Sequence, residues 1–220
     1  MTNLSLKDNR IVIVGGGGHA LCVIDALRSC SVEIFGIVDP SAINGGNLLG
    51  VNILGTDELL PKISSSCSQA VIGLGVSKGL RYRRLLHQTI SQTGLNVVGF
   101  VDSRSTVSSS VTLSKSAQIM AGAILNPNSV VCESGVVNTG SVIEHGARIG
   151  AYSFVGPGAI ICGDVNIESE VLVGAGAVIS PGIAIGRNAI IGAGAVVVRN
   201  VRKGDVVVGN PAKVIGCNLK

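Results

Sequence analysis

The sequence predicts an α/β domain of Rossmann-like type followed by a long parallel β-helix. Three observations carry this prediction. A glycine-rich turn, residues 15–18, stands between a short apolar run and a stretch with helical spacing. From Val101 onward, an aliphatic residue recurs at every sixth position. The chain has 31 glycines, three Phe, two Tyr and no Trp, so its core must be built from branched aliphatic side chains, which favours β architecture or a repeat.

Composition argues against several other classes of protein. The apolar runs are broken every few residues, and none reaches the roughly 18 uninterrupted residues of a membrane-spanning helix. The opening residues, MTNLSLKDNRIVIV, lack the basic and apolar regions of a signal peptide, so a cytoplasmic protein is expected. Six scattered cysteines without a C-x-x-C pair are then expected to be reduced. The net charge of +4, without a basic run or interleaved aromatic residues, does not indicate nucleic-acid binding.

Residues 1–102 follow the order of a nucleotide-binding βαβ unit. The run IVIV predicts a strand at 11–14, and GGGGHA followed by LCVIDALRSC predicts a tight turn and a helix. A second strand, VEIFGIVD, ends at Asp39, about twenty residues beyond the glycines, where an acid can contact ribose or base. The relaxed spacing Gly15-x-Gly17-x-x-Ala20 also fits a purely structural turn. Further strands are predicted at 69–75 and 96–102, with a basic-faced helix between them.

Residues 103–220 are predicted to form the β-helix and a C-terminal cap. Seventeen consecutive hexapeptide positions hold Val, Ile or Leu without an insertion, and Lys203 ends the series. These positions are Val101, Val107, Leu113, Ile119, Leu125, Val131, Val137, Ile143, Ile149, Val155, Ile161, Ile167, Val173, Ile179, Ile185, Ile191 and Val197.

A hexapeptide period predicts one short strand and one tight turn per repeat. Three repeats close a triangular coil, each aliphatic side chain points to its axis, and stacked coils bury a continuous core. Glycines one place after the aliphatic residue, such as Gly174 and Gly186, are expected where neighbouring coils approach closely. The period does not determine the hand of the helix.

The motifs GGGGHA, NTGSVIEH, VGAGAVI, IGAGAVVV and GNPAKVI together resemble the sugar acetyltransferases of bacterial surface-glycan pathways. This family includes the N-acetyltransferases of nucleotide-linked 4-amino sugars, of bacillosamine and perosamine type, and the sialic acid O-acetyltransferases. The similarity covers essentially the whole chain. It implies a left-handed β-helix, a homotrimer with active sites between subunits, acetyl-CoA as co-substrate, a nucleotide-linked amino sugar as acceptor and no metal.

The resemblance places the catalytic histidine at His145, within NTGSVIEH. His145 stands two places after the inward Ile143, so it is expected to face outward, and an imidazole can take the proton that a sugar amine must lose before it attacks a thioester. Family members commonly carry an acid directly after this histidine, whereas this chain has Gly146. Glu144 or an acid from a neighbouring subunit could orient His145 instead.

Other site residues also follow from the resemblance. Asn138 would lie near the acceptor amine, and in the N-terminal domain His19 would lie near the phosphates of the nucleotide sugar. The remaining candidates for that pocket are Gly17, Gly18, Asp39, Gly75 and Lys78. The positions implied for coenzyme A are Phe154, Gly163, Ala175 and Ala193.

Three alternative functions share the hexapeptide fold. A zinc-dependent carbonic anhydrase requires three histidines around the metal, but the repeat holds only His145, so no metal site is predicted. O-acetylation of a sugar, with His145 activating a hydroxyl group, remains an alternative, as does a trimer that binds a nucleotide sugar without turnover. No motif distinguishes a UDP-linked from a GDP-linked sugar.

Overall fold

The structure is a computed structural model, and it describes residues 10–41, 46–76 and 79–218. The described residues form two compact units, which divide between Ser103 and Arg104. In this part of the chain, no helix is long and apolar enough to cross a membrane.

The strands of the N-terminal sheet are β1 (Arg10–Val14), β2 (Glu33–Val38), β3 (Asn47–Leu48), β4 (Val51–Gly55), β5 (Gln69–Ile72) and β6 (Asn96–Val97). The sheet is mostly parallel, with the strand order β3-β4-β2-β1-β5-β6. The next strand, β7 (Phe100–Val101), is not part of this sheet. The helices are α1 (Gly18–Ser29), α2 (Leu60–Ile63) and α3 (Leu80–Gln92). The strand order reverses at β1, and ligands of open α/β sheets bind outside the carboxyl ends of strands at such a point.

The sequence interpretation of this unit was correct for the main elements and wrong in two details. The predicted strand at 96–102 is divided into β6 and β7. The helix with a basic face is α3, but one of its basic residues, Arg83, is fully buried. Arg83 therefore belongs to the interior rather than to the solvated face.

The C-terminal unit is a parallel β-helix of two-residue strands. In chain order they are β8 (Thr106–Val107), β9 (Thr112–Leu113), β10 (Gln118–Ile119), β11 (Ile124–Leu125), β12 (Val130–Val131), β13 (Val136–Val137), β14 (Val142–Ile143), β15 (Arg148–Ile149), β16 (Phe154–Val155), β17 (Ile160–Ile161), β18 (Asn166–Ile167), β19 (Leu172–Val173), β20 (Val178–Ile179), β21 (Ala184–Ile185), β22 (Ile190–Ile191) and β23 (Val196–Val197).

Each strand pairs with the strands one coil before and after it. Ile143 lies beside Ile161, for example, so a coil comprises 18 residues. Stacking produces three flat sheets, of which the second has the order β23-β20-β17-β14-β11-β8. Two longer strands, β24 (Asp205–Val208) and β25 (Lys213–Cys217), pair antiparallel after the last coil.

The aliphatic positions form the core of the β-helix, as predicted. The fourteen positions from Ile119 to Val197 are all at most 1 % exposed. Val107 and Leu113, in the first coil, are partly buried against them. The prediction is wrong for Val101, which is 40 % exposed. Val101 lies in β7, the edge strand of the eight-stranded sheet β25-β24-β22-β19-β16-β13-β10-β7, so no earlier coil covers it.

Glycines after the inward residue mark close contacts between coils, also as predicted. A Cβ on Gly186 would lie 2.5 Å from the backbone nitrogen of Lys203, and one on Gly174 would collide with the backbone of Ala193. Any side chain at these positions would force neighbouring coils apart.

Candidate active site

The glycine-rich turn lies between the end of β1 and the start of α1. Gly17 is the N-cap residue of α1 and Gly18 its first residue, and a Cβ on either glycine would meet no atom within 4 Å. The open space therefore lies directly before the N-terminus of a helix, where free backbone N–H groups attract anions. The turn has the position and the room that a phosphate requires.

Asp39 stabilises the same glycine-rich turn. Directly after β2, its carboxylate accepts hydrogen bonds from the backbone N–H of Gly16 at 2.5 Å and from that of Ser41 at 2.7 Å. The acid predicted to contact ribose or base thus holds the two turns after β1 and β2 together. The contact with a nucleotide remains a prediction.

A second glycine turn, residues 73–75, lies beside the first. The Cα of Gly73 packs against the carbonyl oxygen of Gly15, and a Cβ on Gly75 would lie 3.3 Å from the Cβ of His19. The structure therefore brings Gly17, Gly18, His19, Asp39 and Gly75 to one edge of the sheet. The remaining predicted residue of this pocket, Lys78, lies outside the described residues.

Arg83 supports the second turn, a role that sequence reasoning missed. Its Nη1 donates a hydrogen bond to the carbonyl oxygen of Leu74 at 2.6 Å. Burial lowers the pKa of Arg83 to about 9, so the guanidinium still carries its charge at neutral pH. The sequence does contain a signal for the burial of Arg83, because its spacing places it on the same face of α3 as Leu80, Leu86 and Ile90.

In the β-helix, His145 lies at the corner between β14 and β15, and it is exposed. Its ring extends to the next coil and covers Gly163: a Cβ there would lie 2.5 Å from Cε1 and 2.6 Å from Nε2. The predicted outward orientation is confirmed. No hydrogen bond to the ring is found within the described part of the chain, so the imidazole is available to a substrate.

Glu144, one predicted orienting residue for His145, affects the thiol of Cys162 electrostatically. The pKa of the Cys162 thiol is raised by burial and, to a smaller extent, by the negative charge of Glu144. Cys162 stands one coil after Glu144.

Asn138 precedes β14, whereas His145 follows it. The side-chain oxygen of Asn138 accepts hydrogen bonds from the backbone N–H of Thr139 at 2.8 Å and from its hydroxyl group at 3.3 Å. Within one chain the two predicted catalytic residues therefore lie at successive corners of a coil, one after β13 and one after β14.

The positions predicted for coenzyme A differ in exposure. Phe154 is 5 % exposed, and Gly163 lies beneath the His145 ring. Ala175 and Ala193 are exposed and stacked one coil apart, since the N–H of Gly194 donates to the carbonyl oxygen of Ala175 at 2.8 Å. The described residues contain no group of three or more His, Cys, Asp or Glu side chains placed to hold a metal ion.

Asp164 is the residue at this corner that sequence reasoning missed. It follows Gly146 by 18 residues, which is one coil, and its carboxylate lies against the Cα of Gly146. Its backbone N–H donates to the carbonyl oxygen of His145 at 2.9 Å. The repeat period contains the signal, because it places residue 164 directly above residue 146.

Comparisons with known proteins match both units. Residues 10–81 match the PglD N-terminal domain, and residues 164–199 match the bacterial transferase hexapeptide family model of six repeats. No curated protein matches the chain.

Solved structures match almost the whole chain. Perosamine N-acetyltransferase from Caulobacter crescentus, a mutant in complex with CoA and GDP-perosamine, is 34 % identical with a TM-score of 0.89, over 94 % of this chain and 96 % of that chain. The acetyltransferase domain of PglB from Neisseria gonorrhoeae, in complex with acetyl coenzyme A, is 27 % identical with a TM-score of 0.87, over 94 % and 100 % of the two chains. WeeI from Acinetobacter baumannii is 25 % identical with a TM-score of 0.83, over 93 % and 99 %. These matches confirm the predicted fold class, an α/β domain followed by a left-handed β-helix.

Proposed function

Because the chain belongs to the hexapeptide sugar acetyltransferases that carry a PglD-type N-terminal domain, we propose that it acetylates the amino group of a nucleotide-linked amino sugar with acetyl-CoA. The observation that carries the proposal is the exposed imidazole of His145, held at a corner of the β-helix against Gly163. The relative that binds CoA together with GDP-perosamine supports the substrate class.

The proposed reaction needs one proton acceptor and no metal. The sugar nitrogen attacks the carbonyl carbon of the thioester as His145 takes a proton from the amine. A C–N bond forms, the tetrahedral intermediate collapses with cleavage of the C–S bond, and the departing thiolate takes the proton from the imidazolium. The products are CoA and an acetamido sugar.

The N-terminal unit is proposed to hold the nucleotide diphosphate. The open space before α1 at Gly17 and Gly18, with His19 beside it, supports this assignment. We place the acceptor amine at C4, as the resemblance to the 4-amino-sugar acetyltransferases implies. The reaction would supply acetamido sugars for surface glycans, and we place it in the cytoplasm.

We further propose a cyclic homotrimer. The outward side chains of the second sheet are apolar from β11 to β23, and two of them, Ile124 and Ile160, are 40 % and 39 % exposed. These apolar residues are Ile124, Val142, Ile160, Val178 and Val196, whereas the first strand, β8, carries the polar Thr106 at this position. Such a face favours contact with another copy of the chain. Asn138 and His145 lie at successive corners of one coil, on either side of β14, which favours a site completed where two copies meet.

The test is a panel of acceptors mixed with acetyl-CoA. UDP-linked and GDP-linked 4-amino sugars are compared with the corresponding 4-hydroxy sugars and with sialic acid, and both CoA release and the mass of the sugar product are measured. We expect acetylation of one or more amino sugars alone. Acetylation of the hydroxy sugars would establish an O-acetyltransferase, whereas calorimetric binding without CoA release would establish a binding protein.

A further inference from the structure

The corner position directly after His145 carries no side chain, and the space is filled from the next coil. Gly146 has φ +68°, and a Cβ at this position would collide with Oδ1 of Asp164. An acid at position 146, as in other family members, and the present orientation of Asp164 therefore exclude each other. Asp164 supplies a carboxylate where the neighbouring residue has none.

The two side chains cross between the coils. The ring of His145 reaches forward to Gly163, while the carboxylate of Asp164 reaches back to Gly146. The backbone bond from Asp164 to the carbonyl oxygen of His145, at 2.9 Å, fixes the two residues side by side. In the ranges that the structure describes, neither the imidazole nor this carboxylate has a side-chain hydrogen bond, so each is available to the other.

We propose that Asp164 is the positioning residue of His145 and replaces the acid that Gly146 lacks. The inference rests on the proposed acetyl transfer. A carboxylate that accepts the ring N–H selects one imidazole tautomer and stabilises the imidazolium that forms during catalysis. Hydrogen bonds between catalytic groups are often long in ligand-free enzymes and close only in the substrate complex.

The backbone allows the acid to occupy either of the two coils. Gly146 and Asp164 both have left-handed conformations, with φ +68° and +59°, and Asn128, one coil earlier, has φ +61°. Glycine, asparagine and aspartate are the residues that adopt this conformation most readily. The backbone can therefore accept an aspartate at position 146 instead of position 164, provided that Asp164 is replaced by glycine at the same time.

The experiment compares three variants of the full chain. Asp164→Asn should lower kcat by roughly 10- to 100-fold with little change in KM, since an orienting group accounts for part of the 10²–10⁴ that a general base contributes. The exchange variant Gly146→Asp/Asp164→Gly should recover most of that loss. Glu170→Gln is the matched control, because Glu170 is an acid with φ +58° at another corner, and it should retain wild-type kcat.

An activity-independent measurement separates this inference from the proposed function. With only three histidines in the chain, ¹⁵N spectra identify His145 by comparison with His145→Asn and report its neutral tautomer. We expect one tautomer in the wild type and in the exchange variant, and a mixture in Asp164→Asn. Identical tautomers in wild type and Asp164→Asn would overturn the inference, as would an exchange variant no more active than Asp164→Asn. A wild type that acetylates no amino sugar would overturn the proposed function, and the spectra would still decide the role of Asp164.

Discussion

The imidazole of His145 lies over the Cα of Gly163, with room for no side chain between them: a Cβ on Gly163 would be 2.6 Å from Nε2. The glycine is not needed for backbone conformation, because Gly163 is not among the glycines with positive φ. The space above it therefore determines where the ring can lie, and so where it can meet a substrate.

Gly163→Ala should displace the ring of His145 and leave the fold intact. Small displacements of a catalytic group cost up to about 10²-fold in rate, so we expect kcat to fall by roughly 10- to 100-fold. Gly216→Ala is the control, because a Cβ at this position in β25 meets no atom within 4 Å. Steady-state kinetics and thermal unfolding of both variants test this. A kcat equal to that of wild type would show that catalysis does not depend on this position of the His145 ring.

His145→Asn should lower kcat by roughly 10²–10⁴ with little change in KM, because it removes the proton acceptor and leaves the binding surface in place. His87→Asn, in α3, is the matched control and should behave as wild type. Initial rates over a range of acceptor concentrations separate the two parameters. If His145→Asn stays within a few-fold of wild type, the amine must lose its proton to another group.

Substitutions at two adjacent isoleucines should affect folding and assembly separately. Ile161 is fully buried in the core, and Ile161→Asp should prevent folding because it buries an unpaired charge. Ile160, which is 39 % exposed on the second sheet, points to the opposite side. Ile160→Asp should fold but remain monomeric. Circular dichroism and light scattering measure both outcomes, and a trimeric Ile160→Asp would remove this face from the proposed interface.

Arg83→Met should weaken binding of the nucleotide sugar. The variant keeps the apolar packing of the buried side chain but removes the hydrogen bond that holds Leu74, and with it the turn beside His19. A hydrogen bond to a charged group contributes about 1.5–3 kcal/mol, so we expect KM for the sugar to rise roughly tenfold or more with kcat largely retained. Arg81→Met, at an exposed position of the same helix, provides the comparison. Equal KM values for the two variants would contradict the supporting role of Arg83.

The fold could be predicted from sequence because its main signal is periodic. One inward aliphatic residue in six is enough to specify strand, corner and core, and fourteen positions from Ile119 to Val197 are buried as the period requires. The pattern does not predict the exposure of its first position. Val101 is in register with the repeat, but it lies in the edge strand β7, where no earlier coil covers it, and it is 40 % exposed.

Sequence alone predicts a candidate site residue only where a local motif contains that residue. His145 and the glycine turn were found from their local motifs. Sequence reasoning misses Asp164 because its proposed role depends on a neighbour one coil away, and it misses Arg83 because a charged residue in a helix usually faces solvent. Both depend on spatial relationships between residues that are distant in sequence.

The coil length of 18 residues also limits how this protein can change during evolution. Deletion of a single residue within a strand would move the later core positions out of register, so changes in length are tolerated only as loops at the corners or as whole coils. Substitutions at the corners face no such limit, and under the proposed role of Asp164 an acid can occupy either of two corner positions one coil apart, 146 or 164. Correlated changes among homologues should accordingly appear between positions one coil apart, rather than between neighbours in the chain.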